Sequence, residues 1–364
     1  MCSWARGTSA RNDRSQFGAY VHIPFCERRC DYCAFATWDD RFELVDRYVA
    51  GVRREITSSG VGEVDTAFFG GGTPSLLTPA QLASILSCLP LADGAEVTVE
   101  CNPDTLSLDK LAGYRAAGVT RISLGVQSMV PHVLRALGRT HDPANVERAV
   151  TWIGEAGFTT FNMDLIYGSV GESADDWSRT LRDALALDPP HVSAYGLTVE
   201  PGTPLAADPR RHPDDDMQAD LYVLADDALR TAGLHSYEIS NWARPGHECR
   251  HNLLYWSQSD YRGFGCAAHS HESGRRWWNV RTPERYLELV ERGEPAIGGD
   301  EVLDDATRAF EAAELALRTR DGVPSSLLPV DELEGLVEVR SDRAVLTRQG
   351  RLLANEVALK LRSS

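Results

Sequence analysis

This sequence predicts an α/β fold built on a parallel sheet, and two observations carry the prediction. Six short, β-rich apolar runs recur along the chain: "AYVHI" (19–23), "VDTAFFG" (64–70), "EVTVE" (96–100), "RISLGVQ" (121–127), "FTTFNMDLIYG" (158–168) and "HVSAYGL" (191–197). Between them lie segments of helical period with recognisable starts. Thr78-Pro79 and Asp142-Pro143 each pair an N-cap residue with a first-turn proline, and Ser173 precedes "ADDWSRTLRDALAL". Near-continuous apolar strands alternating with helices imply a parallel sheet covered on its outer face. Six units of this size suit an open, partial (β/α) barrel better than a doubly wound sheet, although spacing alone leaves both open. Either architecture collects its binding residues where the strands end, at the βα loops.

Past residue 290 the alternation stops. "DDATRAFEAAELALRT" reads as an amphipathic helix, "GVPSSLLPVDELEGLVEV" as a turn followed by a helix or strand, and "RAVLTRQGRLLANEVALKL" as a hairpin-like strand with a closing helix. The 364 residues, 43% of them apolar, can bury one large core and a smaller one.

Composition narrows the function classes. The formal net charge of −16 argues against a large nucleic-acid footprint, which needs clustered Lys and Arg. The polar start "MCSWARGTSARNDRSQFG" reads as a disordered tail rather than a signal peptide, and no stretch approaches a membrane-spanning length, so the expected compartment is the cytoplasm. In that reducing setting the eight cysteines point to metal binding or burial rather than to disulfides.

The strand ends are where the chemistry gathers. The first is followed by "HIPFCERRCDYCAF", which places Cys26, Cys30 and Cys33 within eight positions; the second by "GGGTPS" (70–75). Glu100 ends the third, Gln127 the fourth, Asp164 lies near the end of the fifth and Tyr195-Gly196 near the end of the sixth. The glycine run is either a tight strand-to-helix turn or a loop that lets backbone approach a ligand; it has neither the Walker nor the Rossmann spacing. Thiolates are the ligands that soft metals and iron–sulfur clusters select. Structural zinc takes four ligands, and the next cysteine, Cys88, is far along the chain. A [4Fe–4S] cluster also takes four, so three would leave one iron open to an exchangeable ligand.

On these residues the sequence resembles the radical S-adenosylmethionine (SAM) superfamily. Cys26-x3-Cys30-x2-Cys33 looks like its cluster signature, and "YVHIPFC", "FFGGGTPS", "VECNP", "SLGVQS", "LGRTH" and "MDLIYG" match, in order, the motifs of the branch shared by anaerobic coproporphyrinogen III oxidase and the HemW-like haem chaperones. The resemblance implies a radical SAM partial (β/α)6 TIM-like barrel over 18–235, after a disordered tail (1–17). A connecting segment (236–289) and a smaller, mainly helical, winged-helix-like C-terminal domain (290–364) would follow. It implies a [4Fe–4S] cluster on the three cysteines, with Tyr20, Gly71 and Glu100 around the SAM on its open iron. Tyr32, Gly72, Thr73, Gln127, Arg139 and Asp164 match positions that hold a second SAM in the oxidase; whether one SAM or two bind here stays open. The side chains suit such a ligand, since carboxylates accept from ribose hydroxyls and an amino group, and Arg139, unless it is only a surface residue after Gly138, can grip a carboxylate bidentately.

Two departures separate the branches. The oxidase pattern has a further cysteine two positions beyond Cys33, where this chain has Ala34-Phe35, and it has a longer N-terminal extension. "HNLLYW" (251–256) matches the HNxxYW motif of the chaperones, and "LTRQGRLLANEV" resembles their C-terminal segment. The chaperone reading implies haem as ligand and apo-haemoproteins as acceptors. An electron donor such as flavodoxin or ferredoxin also follows from it, and pairing with a second copy is left open. His251 is either an ordinary hydrogen-bonded histidine or an axial haem ligand beside Tyr255 and Trp256; Cys249 and the group Cys266, His269 and His271 are the other candidates, and "RRWWNV" (275–280) is aromatic packing or a haem wall. The competing function is oxygen-independent oxidative decarboxylation of coproporphyrinogen III.

Overall fold

The computed structural model describes residues 16–139 and 141–361. The expected tail lies outside the described residues up to position 15.

Six parallel strands stand side by side in chain order: β1 (Gly18–Ile23), β2 (Val64–Gly71), β3 (Leu91–Cys101), β4 (Arg121–Gln127), β5 (Phe161–Tyr167) and β6 (His191–Gly196). Sequential parallel neighbours demand a crossover between each pair, and helices supply it. They are α1 (Val45–Ser59), α2 (Pro79–Leu86), α3 (Leu108–Ala117), α4 (Pro131–Ala136), α5 (Pro143–Glu155) and α6 (Ala174–Leu185), with α7 (Asp215–Thr231) following the last strand. The expected caps are in place. Thr78 and Gln81 close a reciprocal capping box on α2, Ser173 and Asp176 do the same on α6, and Asp142 caps α5 through Ala144 N–H at 2.9 Å.

The strands differ from the expectation in one respect that matters for function. They are not near-continuously apolar but mostly alternate, with Phe68 and Ile166 as apolar exceptions on the interior face. Val21, Phe69, Val97, Val99, Ile122, Leu124, Met163, Leu165, Val192 and Ala194 are buried in the core cluster that includes helix residues such as Val52, Leu82 and Trp177. Each large one contributes about 1.5–3 kcal/mol by leaving water. The intervening residues, among them Tyr20, His22, Ser123, Asn162, Asp164, His191 and Ser193, bond to one another across the concave face, and Glu100 there accepts from Gly71 N–H. A period of two puts the two sets on opposite faces, so the barrel is apolar outside and polar within.

The sheet continues at both edges. β7 (His235–Ser236) and β8 (Asn241–Ala243) extend it beyond β6. On the other side β9 (Tyr261–Phe264) runs parallel to β1, followed by β10 (His269–Glu272), β11 (Arg275–Asn279) and β12 (Ile297–Val302) in antiparallel array. The span 236–289, expected as a connecting segment, therefore supplies strands to both edges, together with α8 (Arg250–Trp256) and α9 (Pro283–Glu291).

The C-terminal part is α10 (Asp305–Leu317), a three-stranded antiparallel sheet of β13 (Val323–Pro324), β15 (Arg343–Leu346) and β14 (Val337–Arg340), and the short helices α11 (Arg348–Leu352) and α12 (Ala354–Ala358). It has its own apolar core of Leu317, Val323, Leu328, Leu346 and Val357. Arg351 ties it to the barrel by reaching the buried Asp226 of α7 at 3.0 Å, which also accepts from Trp242 Nε1 at 2.9 Å.

Candidate cofactor cavity at the strand ends

The cysteine loop is a closed excursion from the end of β1. Phe25 and Trp38 bridge its base, with Cys26 N–H donating to Trp38 O at 3.0 Å and Trp38 N–H to Pro24 O at 2.7 Å. Phe25 is buried edge-on against Tyr48 of α1. The loop so anchored carries Cys26, Cys30 and Cys33 as free thiols. Thr73 donates to Cys26 Sγ at 3.7 Å and Arg139 to Cys30 Sγ at 3.8 Å. Burial pushes Cys26 up to about 11 and raises Cys33 as well, so an anionic sulfur here needs a compensating positive charge such as iron supplies. Among the described residues no three Cys, His, Asp or Glu side chains gather around a single ion position. Three thiols spread over a loop are a donor set that fits the separate corners of a cluster.

Over the loop lies a cavity of about 700 Å³. The three cysteines, Tyr32, Gly71, Gly72, Thr73, Glu100, Gln127, Arg139 and Asp164 all line it. These residues come from the ends of β1 to β5 and from the segment after α4, and only the barrel brings them together. Tyr20 is the exception. It sits one layer lower on β1, its hydroxyl 3.1 Å from His22 Nδ1, close beneath Gly70 and Glu100.

The glycine run has a physical explanation that needs no ligand. Gly71 has φ +109°, and a Cβ there would lie 2.4 Å from the His22 ring; one on Gly72 would lie 2.5 Å from Phe25 O. Gly72 and Thr73 instead donate to Ile23 O and Phe25 O at 2.8 and 2.7 Å. Closeness to the root of the cysteine loop is what the glycines permit, and the cavity inherits their backbone.

The two carboxylates face each other. Glu100 accepts from Gly71 N–H at 3.1 Å, and burial, then the nearby Asp164 charge, push it up to about 8. Asp164 is raised by burial but accepts from Ser123 Oγ at 2.9 Å and Asn162 Nδ2 at 2.7 Å. Gln127 owes its aim to a register shift between Gly125 and Gln127 and adopts φ +63°, a sparsely populated conformation for a non-glycine residue. Arg139 donates to Gly125 O at 2.8 Å while it contacts Cys30, so it is held in the cavity wall rather than at the surface. Burial, then the nearby Cys30, raise the Tyr32 phenol.

Several cavity residues were missed in the sequence reading. His141 is buried there, and burial followed by the Arg139 charge pushes it down to about 4, leaving a neutral imidazole. Ser123 and Asn162 support Asp164 from below and His191 backs Asn162; the signal for them was the polar alternation in "RISLG", "FNMD" and "HVS". Phe35, 63% exposed, stands at the rim.

His251 lies at the opposite end of the barrel. Its Nδ1 is 2.8 Å from Oγ1 of Thr66, which is paired with the first residue of β1, and its Nε2 is 2.8 Å from Tyr255 OH. The ring stacks on Phe68, is 1% exposed, and is pushed down to about 3 by burial. A freely available imidazole, as expected of a haem ligand, is therefore not what this structure presents: both ring nitrogens are engaged. Cys249 is buried and donates to Glu96 at 3.6 Å; Cys266 is buried beside Tyr48. His271 is buried near Asp260, and only His269 is exposed, stacked on Trp278 at 5.8 Å. The three do not form one cluster. Trp277 lies in β11, paired between β10 and the edge strand β12, with Arg275 over its ring, which favours packing for "RRWWNV".

The radical SAM superfamily pattern matches residues 20–184. The heme chaperone HemW of Mycobacterium tuberculosis H37Rv is 42% identical over 369 residues, which cover 95% of this chain and 94% of that protein. This chain belongs to the HemW family. The HemW of Bacillus subtilis is 35% identical with 93% and 97% covered, and that of Escherichia coli 41% identical with 69% and 68% covered. Membership implies a [4Fe–4S] cluster and SAM. This chain shares its fold with coproporphyrinogen III oxidase (HemN) from Escherichia coli, whose solved structure aligns with TM-score 0.83 at 24% identity over 96% of this chain and 91% of that one. Among the described residues no helix is long and apolar enough to cross a membrane.

Proposed function

We propose that this chain is a haem chaperone: it binds haem and passes it to apo-haemoproteins, with its cluster and SAM controlling that exchange. The observation that carries this reading is the 42% identity to a heme chaperone along 94% of that protein's length. Cys26, Cys30 and Cys33 are the proposed cluster ligands. Bound there, the cluster supplies one-electron chemistry and an open coordination position. Thr73 and Arg139 stabilise negative charge on two of the sulfurs. Glu100 and Asp164 accept from the amino and hydroxyl groups of SAM, with Tyr20 supporting Glu100 from below. Arg139, Tyr32, Gln127 and the backbone of Gly71 to Thr73 complete the wall. Whether the cavity holds one SAM or two, the same residues line it.

His251 remains the proposed haem ligand, and the structure adds a condition. Ligation requires the Tyr255 bond to Nε2 to open, at a cost of about 1 kcal/mol before any helix movement. Cys249 is the alternative two residues away. A cytoplasmic setting, a small electron-transfer protein such as flavodoxin or ferredoxin, and self-association complete the reading. We also propose the division into a barrel and a C-terminal unit with separate cores. The oxidase alternative has the shared fold in its favour and no further observation.

The test is anaerobic. The reconstituted protein with SAM and reductant is offered haem in one reaction and coproporphyrinogen III in another. Haem binding followed by transfer to an apo-haemoprotein, with no decarboxylation, is expected; decarboxylated porphyrin would make the protein an oxidase.

A further inference from the structure

A single line of buried side chains runs from the cavity to the start of α8, and its donors all point one way. Asn162 Nδ2 donates to Asp164 Oδ1 at 2.7 Å and to Ser123 Oγ at 2.8 Å. Both of its N–H bonds are thus committed, and its Oδ1 faces His191 Nδ1 at 2.7 Å and accepts from Ser193 Oγ at 3.1 Å. An amide oxygen cannot donate, so Nδ1 must carry the His191 proton. Nε2 is then the lone-pair nitrogen, and it accepts from Tyr237 OH at 2.8 Å. The phenol oxygen accepts in turn from Cys249 N–H at 3.3 Å. Asn162, His191, Ser193, Tyr237 and Cys249 are all at least 97% buried, so no water competes for these bonds.

Strand register builds the line. Asn162 is paired with Ser123 on one side and His191 on the other, and Asp164 is paired with Ser193, so four interior residues of three strands meet around one amide. That amide has two possible orientations. In the observed one its N–H groups face the Asp164 carboxylate; flipped, its oxygen would face that carboxylate and be repelled. The proton on His191 Nδ1, with the Ser193 hydroxyl, holds the observed orientation from the other side of the amide.

We propose that His191 is a positioning residue for the cavity: by fixing the orientation of the Asn162 amide it holds Asp164 as an acceptor aimed at the bound SAM. This rests on reading the cavity as the SAM site. Of the two bonds His191 makes, the one to Asn162 sets the affinity for SAM and the one to Tyr237 does not.

Two substitutions separate the bonds. Asn places an amide N–H where Nδ1 stands and falls short of Tyr237; Gln reaches the Nε2 position and gives up the bond to Asn162. SAM is titrated calorimetrically into the anaerobically reconstituted full-length chain and each variant, with the melting temperature recorded alongside. His191→Asn is expected to bind SAM within about twofold of the parent and His191→Gln about tenfold more weakly, a difference of about 1.4 kcal/mol, with comparable losses of melting temperature. Equal affinities in the two variants overturn the proposal, whether both are intact or both impaired. Where either variant fails to fold, Tyr237→Phe and Asn162→Asp replace the pair: the first should keep parental affinity and the second should lose at least tenfold, and equal affinities again overturn the proposal. A parent chain that binds no SAM would remove the reading of the cavity and this role with it.

Discussion

The two ends of the barrel interior use the same residue types for opposite purposes. At the C-terminal end Glu100, Asp164 and Arg139 line open volume, with backbone and side-chain atoms left facing the cavity. At the N-terminal end Glu96, Arg121, His191 and His251 are packed into a polar plug. Glu96 there accepts from Cys249 Sγ and from the first amides of α8, Arg250 and His251 N–H both at 3.1 Å, and so caps a helix that has no side-chain cap of its own. Arg121, 2% exposed, is held by the neighbouring negative groups Glu96 and Asp164 although its Nε and Nη2 find no hydrogen-bond partner among the described residues. Polarity inside a barrel is therefore not a marker of a site. Polarity that lines unfilled space is.

The sharpest break of this contrast comes at the cavity end. Cys30→Ala should abolish the visible absorbance of the reconstituted cluster, because two thiolates do not hold it; a full complement of iron and sulfide in that variant would refute the ligand assignment. At the plug, Glu96→Ala should lower stability by about 3 kcal/mol, since it strips the α8 cap and leaves Arg121 less compensated. Chemical denaturation would read this, and SAM affinity should stay near parental once the variant is folded.

Asp164→Asn should show the reverse pattern, with about tenfold weaker SAM binding and little change in unfolding midpoint. Glu100 offers a pH test of the cavity in the ligand-free protein. Its folded pKa is raised from 4.5 to about 8, so the folded state keeps a proton that the unfolded state has released. Its contribution to stability is present below the unfolded pKa and is lost as pH rises toward about 8. Glu100→Gln should flatten the decline of melting temperature over that window, and an unchanged slope would show that Glu100 does not titrate there. The smallest effect is expected at the rim, where Phe35→Cys, on an exposed side chain, should change stability by less than about 0.5 kcal/mol. Haem affinity of His251→Ala would then show whether the plug opens; an unaltered haem spectrum would move the ligand to Cys249.

Much of the cavity was legible in the sequence because its residues sit at strand ends, and strand ends are marked by where apolar runs stop. Cys26, Cys30 and Cys33 were visible from spacing alone, and Glu100, Gln127 and Asp164 from their places after β-rich runs. Tyr20 shows the limit of that reasoning. Its nearness to the cysteines in sequence does not put it in the cavity wall, because both interior residues of β1, Tyr20 and His22, lie below the layer that faces open volume. The glycine run shows another. Its composition was compatible with a ligand-facing loop, but the atoms that exclude a Cβ belong to His22 and Phe25.

By itself the sequence determined the six β/α units, the caps of α2, α5 and α6, the three-thiol loop and the membership that goes with them. All of these depend on periodicities and contacts within a few residues. Only the tertiary structure decided that the strands are polar within, that 236–302 supplies strands to both sheet edges, that His251 is enclosed, and that Asn162, His191 and Tyr237 form one line. Those bonds join residues 29 and 46 positions apart. Pairing at such distances is set by strand register and burial together, and no local period encodes it.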